Sequence, residues 1–287
     1  MTGHPAGSRA IVVGIDPDRD WHLASAWAAD EAQRRRCPLR LVIAVPPQHD
    51  GQHLDDTPGR TALRRAGSDR LEQACTWVRD RHPEVSVTGD LLGGFPAPVL
   101  GGAARDARMI VLGSRHLSRT AEFFSAGSLV VPVTAQARCP VVVVGDAEHI
   151  SGRPPYVVAG VDGSASATAA VAFAFDEADL RGAALRLVCA WQPPRIMPAD
   201  EEVALRAQRA LLSEATAGLS EKYPDVHVTH EVRTGHAVEE LARASEHALA
   251  VVVGRRGSGG YTGMRIGSVV HGLLHRAHCP VITVPTG

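Results

Sequence analysis

Four residues near the C-terminal end of the chain have the types and spacing that suit phosphate binding. Gly254 and Gly257 are separated by two residues, nine residues follow, and Gly267 and Ser268 come next. The apolar run 249–253 precedes this motif and a helix-like stretch, 267–276, overlaps its end. Unpaired N–H groups at a helix start attract anions, and glycine lets the main chain approach a ligand without an intervening Cβ. The spacing therefore predicts a phosphate site.

The same residues have a simpler interpretation. Glycine is common at strand ends, and Ser268 could do no more than cap the helix that it begins. Short glycine motifs also arise by chance. The motif alone leaves both interpretations open, so the rest of the chain has to decide between them.

Size and composition limit the possible functions. The chain has 287 residues, which favours two domains, and its 45% apolar and 21% charged residues are typical of soluble globular proteins. The net charge of −1 provides no overall field to attract nucleic acid or anionic lipid. We expect neither a nucleic-acid partner nor a membrane partner.

The N-terminal residues and the cysteines point to the cytoplasm. Residues 1–9 are short and polar before a strand-like run begins at Ile11, so we expect no secretory signal, and no apolar run is long enough to cross a bilayer. Five cysteines lie far apart without a Cys-x-x-Cys pair, which argues against a disulfide framework or a zinc site. A cytoplasmic location is the expectation.

The chain repeats itself. At an offset of 146 residues Asp16 matches Asp162, residues 27–32 match 173–178, and residues 39–42 match 185–188. Later the offset shortens, so that Gly113 matches Gly254 and Gly127 matches Gly267. Two similar domains are predicted, at 1–148 and 149–287, with a linker near 145–155 that contains glycine and prolines.

Strand-like and helix-like segments alternate within each half. In the second half we predict strands at 156–161, 184–190, 226–232, 249–253 and 280–284, and helices at 165–181, 200–223, 237–247 and 267–276. Such alternation is typical of a parallel sheet covered on both faces. The predicted fold is α/β, with two tandem doubly wound five-stranded parallel sheets of Rossmann-like type.

Ligands of such sheets bind beyond the carboxyl ends of the strands, near a topological switch point. Asp162 follows the first predicted strand of the second half, Ala190 ends the second and Gly254 follows the fourth. All three are therefore expected at the same edge of one sheet, where they can surround one ligand.

At this point the residues resemble the universal stress protein family. Its adenine-nucleotide-binding members carry Gly, two residues, Gly, nine residues, Gly and then Ser or Thr after a fourth strand, and residues 254–268 match this signature in full. Residues 160–164 and 165–178 are also similar, and the duplication resembles the tandem form of the family. The resemblance covers essentially the whole chain. It implies the adenine-nucleotide-hydrolase-like fold and ATP as ligand, with or without Mg²⁺.

The resemblance also implies a role for each matching residue. Asp162 is similar to the acidic residue near the nucleoside. Backbone contacts bounding adenine fall at Val161 and Ala190, the entrance to the ribose and phosphates at Val253 and Gly254, and the phosphate contacts at Arg256, Gly257, Gly267, Ser268, Val269 and Val270. An acid that accepts from ribose hydroxyls, with phosphates left to N–H donors and arginine, is chemically reasonable.

Each of these residues also has a structural alternative. Asp162 could form a turn and cap the helix that follows. Arg255, Arg256 and Arg265 could be a solvated loop surface. Ser268 could act as a cap only.

The first half departs from the signature. His116 replaces the second glycine, and ten residues, 117–126, replace nine. Because a side chain here can block the turn, we expect a weaker site in the first half. Its remaining candidates are Asp16, Gly113, Gly127 and Ser128.

Competing site types have little support. The only lysine, Lys222, does not lie in a Walker-type loop, and no dinucleotide fingerprint follows a first strand. His271 and His275 share a helix face and could bind a metal, but a polar surface is the simpler interpretation. The segment 49–56 is rich in His and Asp and is interpreted as a surface loop.

Three functions remain. The first is an ATP-binding stress-response module without strong catalysis, which senses or stores the nucleotide. The second is a scaffold that associates through its apolar fifth strands, 141–144 and 280–284, and the third is a slow adenine-nucleotide hydrolase. The family resemblance further implies that the two halves pair as an internal pseudo-dimer, and it leaves a homodimer of whole chains open.

Overall fold

The computed structural model describes residues 9–47, 58–114, 129–145, 149, 151–192, 201–258 and 266–286. These residues form two compact units, one from each half of the chain. Each unit contains five parallel strands with helices between them. The predicted α/β class with two five-stranded parallel sheets is confirmed.

The first unit contains β1 to β5 and α1 to α4. Its strands are β1 (Ile11–Gly14), β2 (Leu39–Val45), β3 (Val87–Gly93), β4 (Met109–Gly113) and β5 (Val141–Val144). Its helices are α1 (His22–Arg35), α2 (Pro58–Arg81), α3 (Pro96–Ala103) and α4 (Val130–Gln136). The strand order is β3-β2-β1-β4-β5, so the order reverses between β1 and β4.

The second unit repeats this plan. Its strands are β6 (Tyr156–Gly160), β7 (Ala184–Trp191), β8 (Val228–Thr234), β9 (Val251–Gly254) and β10 (Val281–Val284). Its helices are α5 (Ala165–Arg181), α6 (Glu201–Thr216), α7 (Leu219–Lys222), α8 (Ala237–Ala244) and α9 (Ser268–Arg276). The order β8-β7-β6-β9-β10 places the switch point between β6 and β9.

Burial explains the composition of several strands. The side chains of β5, β6 and β10 are all buried, as are the valines of β9. Helix α5 contacts α6, and α8 contacts α9. Two helix pairs cover the two faces of such a sheet, which is why its strands are nearly continuous runs of Val, Ile and Leu.

Local signals at both ends fix the bounds of α5, which the sequence predicts correctly. The Ser164 hydroxyl accepts a hydrogen bond from the Ala167 N–H at 3.1 Å. Gly182 ends the helix in the left-handed conformation, with φ of 57°. A serine N-cap and a left-handed glycine satisfy main-chain groups that the helix leaves without partners.

The single helix predicted at 200–223 is wrong. The structure has α6 and the short α7, and between them Gly218 has a φ of +75°. The Thr216 hydroxyl donates to the Ser213 carbonyl at 2.9 Å, a side-chain bond that competes with regular helix continuation. Helix α7 begins only two residues after α6 ends, so the helical period of the sequence continues across the break. The sequence pattern therefore does not reveal the break.

The strand predicted at 226–232 is displaced by two residues. Strand β8 pairs with β7 from Val228 opposite Leu185 to Thr234 opposite Trp191. Val226 instead closes a turn, because its N–H donates to the Tyr223 carbonyl at 3.2 Å. Pairing with β7 therefore sets the bounds of β8.

In the described part of the chain, no helix has the length and apolar character needed to cross a bilayer.

Candidate functional site

Three segments of the second unit meet at the carboxyl edge of its sheet. They are the turn between β6 and α5, the loop 254–258 after β9, and the start of α9. The Ser258 N–H donates to the Asp162 Oδ2 at 2.8 Å, and the Gly267 N–H donates to the Arg255 carbonyl at 2.9 Å. The structure thus brings Asp162 to the glycine motif that the sequence predicts as a phosphate loop.

Asp162 is exposed and accepts hydrogen bonds at both carboxylate oxygens. Its Oδ1 accepts from the Ser164 N–H at 3.0 Å and from the Ser164 hydroxyl at 2.7 Å, while Oδ2 accepts from Ser258. The first two bonds are those of a turn-forming aspartate. The third joins the turn to the loop, so Asp162 acts as a turn former and as a bridge between the segments.

The Asp162 carboxylate packs closely against Gly257. A Cβ built at Gly257 would lie 2.5 Å from the Asp162 Oδ2, a distance that real Cβ atoms essentially never show. Any larger residue would therefore displace either the loop or the carboxylate. The second glycine of the motif is required by its approach to an anionic group.

Gly254 has a packing role besides the ligand contact predicted for it. A Cβ at Gly254 would lie 2.6 Å from the carbonyl carbon and the Oγ of Ser166. Gly254 therefore admits the first turn of α5. The physical reason is that α5 packs directly over the end of β9.

Two serines that the sequence argument did not select hold the loop. The Ser166 hydroxyl donates to the Val284 carbonyl and accepts from the Arg256 N–H, both at 3.4 Å. The Ser164 Oγ, whose proton is donated to Asp162 Oδ1 at 2.7 Å, also lies 3.4 Å from the Arg256 carbonyl. Ser164 could have been found from its N-cap position. No local pattern marks Ser166, because its partners lie 90 and 118 residues away in the chain.

The start of α9 supplies main-chain donors. The first helical hydrogen bond runs from the His271 N–H to the Gly267 carbonyl at 3.0 Å. The amides of Ser268, Val269 and Val270 precede that bond and are the donors that a helix start leaves without an intrahelical partner. The Gly267 amide already donates to the Arg255 carbonyl, so the donors available to a ligand begin at Ser268.

The two arginines of the loop create a local excess of positive charge. Burial lowers the pKa of Arg255, and the neighbouring Arg256 charge lowers it further. Arg256 is exposed, and none of the described residues forms an ion pair with it. Since a bound anion would stabilise both guanidinium groups, the charges are suited to phosphate.

The predicted adenine and entrance residues line the same edge. Val161 and Val253 are buried, and Ala190 is half-buried near the end of β7, the strand beside β6. The Val161 N–H donates to the Val188 carbonyl at 2.9 Å. That amide is therefore occupied by the sheet, and only the carbonyl and side chain of Val161 are left to border a ring.

The described contacts of the matching residues in the first unit are different. The Asp16 carboxylate accepts from the Asp18 N–H at 3.1 Å and lies 3.7 Å from the Arg19 Nε. Among the described residues, the atom nearest to a Cβ at Gly113 would be the Ala24 Cβ at 3.9 Å, an ordinary contact. Gly127 and Ser128 lie outside the described residues. So do His116, 117–126, Arg265 and 49–56.

In the described ranges, no three or more His, Cys, Asp or Glu residues lie close enough together to hold a metal ion. The rings of His271 and His275 are 5.3 Å apart on α9, and burial lowers the pKa of His271. Two imidazoles alone fall short of the three protein ligands of a catalytic zinc site.

A separate cavity of about 590 Å³ lies between α6 and β8, where Arg209, His230 and Arg233 contribute to its lining. None of the predicted nucleotide-binding residues lines it. The candidate site is instead an open edge defined by its hydrogen bonds, so cavity size does not locate it.

Comparison with known proteins gives a consistent result. The family model described as universal stress protein family matches residues 7–145 and 156–285. The chain is 32% identical to universal stress protein Rv2005c of Mycobacterium tuberculosis over 301 aligned positions, covering 97% of each chain. It is 33% identical to universal stress protein Rv2623 of the same organism over 302 positions, covering 96% of each.

A solved structure has the same fold. The crystal structure of a universal stress protein from Archaeoglobus fulgidus DSM 4304 superposes with a TM-score of 0.74 at 15% identity, covering 97% of both chains. At that identity the likeness concerns the fold alone. It extends over both units of the chain.

Proposed function

Because this chain belongs to the universal stress protein family and carries two copies of its domain, we propose that its second unit binds ATP and responds to it. The chain then acts as a nucleotide-dependent regulatory module of the stress response. Occupancy of the site changes the order of the loop after β9, and a partner protein can recognise that change.

The hydrogen bond between Asp162 and Ser258 is the observation that carries this proposal. It supports the proposal because it joins a carboxylate, which can accept from ribose hydroxyls, to a loop that suits phosphates. In the bound state Asp162 holds the sugar, while the amides of 268–270 and the Arg256 side chain hold the phosphates. Adenine lies near Val161 and Ala190, and the chain of Val253 and Gly254 borders the entrance. A Mg²⁺ ion can accompany the triphosphate through its oxygens.

The same edge supports binding more than turnover. Residues 254–258 and 266–270 contain no carboxylate, histidine or lysine that could act as a general base or acid. Asp162 is the nearby acid, and three hydrogen bonds from Ser164 and Ser258 hold its carboxylate. We therefore assign no catalytic residue, and we expect the ligand to be bound and released as ATP.

Thermal unfolding with and without ATP tests the proposal. Because ligand at about 100 times Kd stabilises the folded state by about 2.7 kcal/mol, the unfolding temperature of the wild type should rise by about 5 to 10 °C. Gly257→Ala should lose this rise, since the added Cβ would lie 2.5 Å from the Asp162 Oδ2. Differential scanning fluorimetry measures both.

Gly152→Ala is the matched control. The nearest atoms to its Cβ are 3.5 Å away on His247 and Tyr156, which is an ordinary contact far in sequence from the loop. This variant should keep the full ATP response. An unchanged melting curve of the wild type over millimolar ATP would overturn the proposed function.

A further inference from the structure

An anionic group of the chain itself occupies the loop that is proposed to bind phosphate. The Asp162 Oδ2 accepts the Ser258 N–H at 2.8 Å and lies against the Cα of Gly257. A carboxylate oxygen and a phosphate oxygen are both anionic acceptors and compete for the same main-chain donors. In this arrangement a phosphate that takes the Ser258 amide has to displace Asp162 and also meets its negative charge.

A nucleotide can replace the hydrogen bond that Asp162 loses when it leaves the Ser258 N–H, but a free phosphate chain cannot. Ribose carries hydroxyl groups that donate hydrogen bonds, so a carboxylate that leaves Ser258 gains new donors from the sugar. A fully ionised inorganic polyphosphate offers only acceptors. Displacement of Asp162 by polyphosphate therefore leaves the carboxylate short of one donor and beside like charge.

We propose that Asp162 is a specificity-determining residue that makes phosphate binding by the loop depend on a nucleoside. This inference rests on the proposed function, because it concerns the same loop. It adds a selection rule: the loop accepts the phosphates of a nucleotide and discriminates against free polyphosphate anions. Such a rule allows the site to report nucleotide in the presence of other phosphate compounds.

The turn before α5 is built to let one carboxylate oxygen move while the other stays fixed. The Asp162 Oδ1 accepts from the Ser164 N–H and hydroxyl at 3.0 and 2.7 Å. Ser164 is in turn fixed by its cap bond from the Ala167 N–H at 3.1 Å. The Oδ2 has a single described donor, Ser258, so it can exchange that donor without loss of the turn.

Isothermal titration of inorganic tripolyphosphate and of ATP into the wild type and Asp162→Asn tests the inference. Asparagine keeps the size of the side chain but removes its charge and weakens its acceptor. We expect Asp162→Asn to bind tripolyphosphate about tenfold more tightly than the wild type, the order expected for loss of one competing charged hydrogen bond. Its ATP affinity should not gain in proportion, because the ribose acceptor is weakened too. The preference for ATP over tripolyphosphate should thus shrink.

Two controls separate this mechanism from a general charge effect. Asp225→Asn makes the same charge change at an exposed residue before the amino end of β8, at the edge of the sheet opposite to the loop, and it should leave tripolyphosphate affinity unchanged. The tripolyphosphate affinity of Asp162→Asn relative to that of the wild type should stay the same between about 0.05 and about 0.5 M salt. A purely Coulombic gain would be screened by the salt, and the ratio would fall.

The outcomes are distinct from those of the proposed function. Tripolyphosphate affinity that is unchanged or lower in Asp162→Asn, or a gain that disappears in high salt, overturns the selection rule even if ATP binds the wild type. Failure of the wild type to bind ATP overturns the proposed function, and the tripolyphosphate titration is then still read on its own.

Discussion

The two units share one strand order but differ in where the helix after the first strand begins. In the second unit α5 begins three residues after Asp162, at Ala165, whereas in the first unit α1 begins six residues after Asp16, at His22. The first unit therefore lacks the helical turn that carries Ser166 in the second. Among the described residues, the one nearest to a Cβ at Gly113, at the end of β4, is Ala24 in α1.

The residue after each aspartate explains why α1 begins later than α5. Gly163 has a φ of +77°, a left-handed conformation that turns the chain at once into α5. Pro17 stands at the matching position, and its ring holds φ near −65°. The first unit then continues through a turn, and the Asp20 carboxylate caps α1 by accepting the His22 N–H at 2.9 Å.

This difference concerns the chain that follows each aspartate. Both units keep an aspartate after the first strand, and Asp162 bonds the loop after β9; the residues that follow Ser114 after β4 lie outside the described part of the chain. In the second unit a tight turn and an early helix start accompany the bond between the carboxylate and the loop. Substitutions at a feature that the units share and at features in which they differ test this difference.

The largest effect should come from a feature that both units keep. Glu31 and Glu177 are fully buried and pair with Arg35 and Arg181 at the same spacing on α1 and α5. Glu31→Ala and Glu177→Ala should each cost about 3 kcal/mol, because each leaves a buried arginine without its carboxylate. Hydrogen exchange followed by peptide measures the loss in each unit separately. A loss confined to one unit would contradict the equivalence of the two frames.

The next effect should separate the two carboxyl edges. Gly254→Ala places a Cβ 2.6 Å from Ser166 main-chain and side-chain atoms, whereas the nearest described atom at Gly113→Ala is 3.9 Å away, on Ala24. Overpacking should cost the second unit about 2 kcal/mol, and the first-unit variant should stay within about 0.5 kcal/mol of the wild type. Urea unfolding of both variants provides the measurement. Equal costs would show that the helix start does not distinguish the edges.

The smallest effect concerns the ends of the same two helices. Arg36 ends α1 with a φ of 49°, and Gly182 ends α5 with a φ of 57°. Since glycine adopts this left-handed conformation without a steric penalty, Arg36→Gly should stabilise the first unit by about 0.5 kcal/mol. Gly182→Ala should destabilise the second unit by about 1 kcal/mol. Thermal unfolding with opposite signs for the two variants is the expected result, and a shared sign would argue against it.

Local patterns were sufficient for much of the fold. Valine-rich runs predicted the buried strands, and the predicted bounds 165–181 of α5 agree with the caps at Ser164 and Gly182, because capping is a property of neighbouring residues. The break at Gly218 and the start of β8 at Val228 were missed. The first is hidden by a helical period that resumes, and the second depends on pairing with a strand elsewhere in the chain.

The candidate site divides in the same way. The duplication and the parallel topology were enough to predict that Asp162 and the glycine motif share one edge. They did not identify Ser166, nor the carboxylate that requires glycine at 257. These are contacts between segments that are distant in sequence, so no local spacing encodes them.

The sequence by itself determined the repeat, the order of strands and helices, and the edge at which the polar residues collect, because each follows from periodicity and local geometry. Only the tertiary structure decided what each glycine makes room for. The reason is steric: Gly254 meets Ser166 and Gly257 meets Asp162, and these partners become neighbours only when β6 and β9 lie side by side.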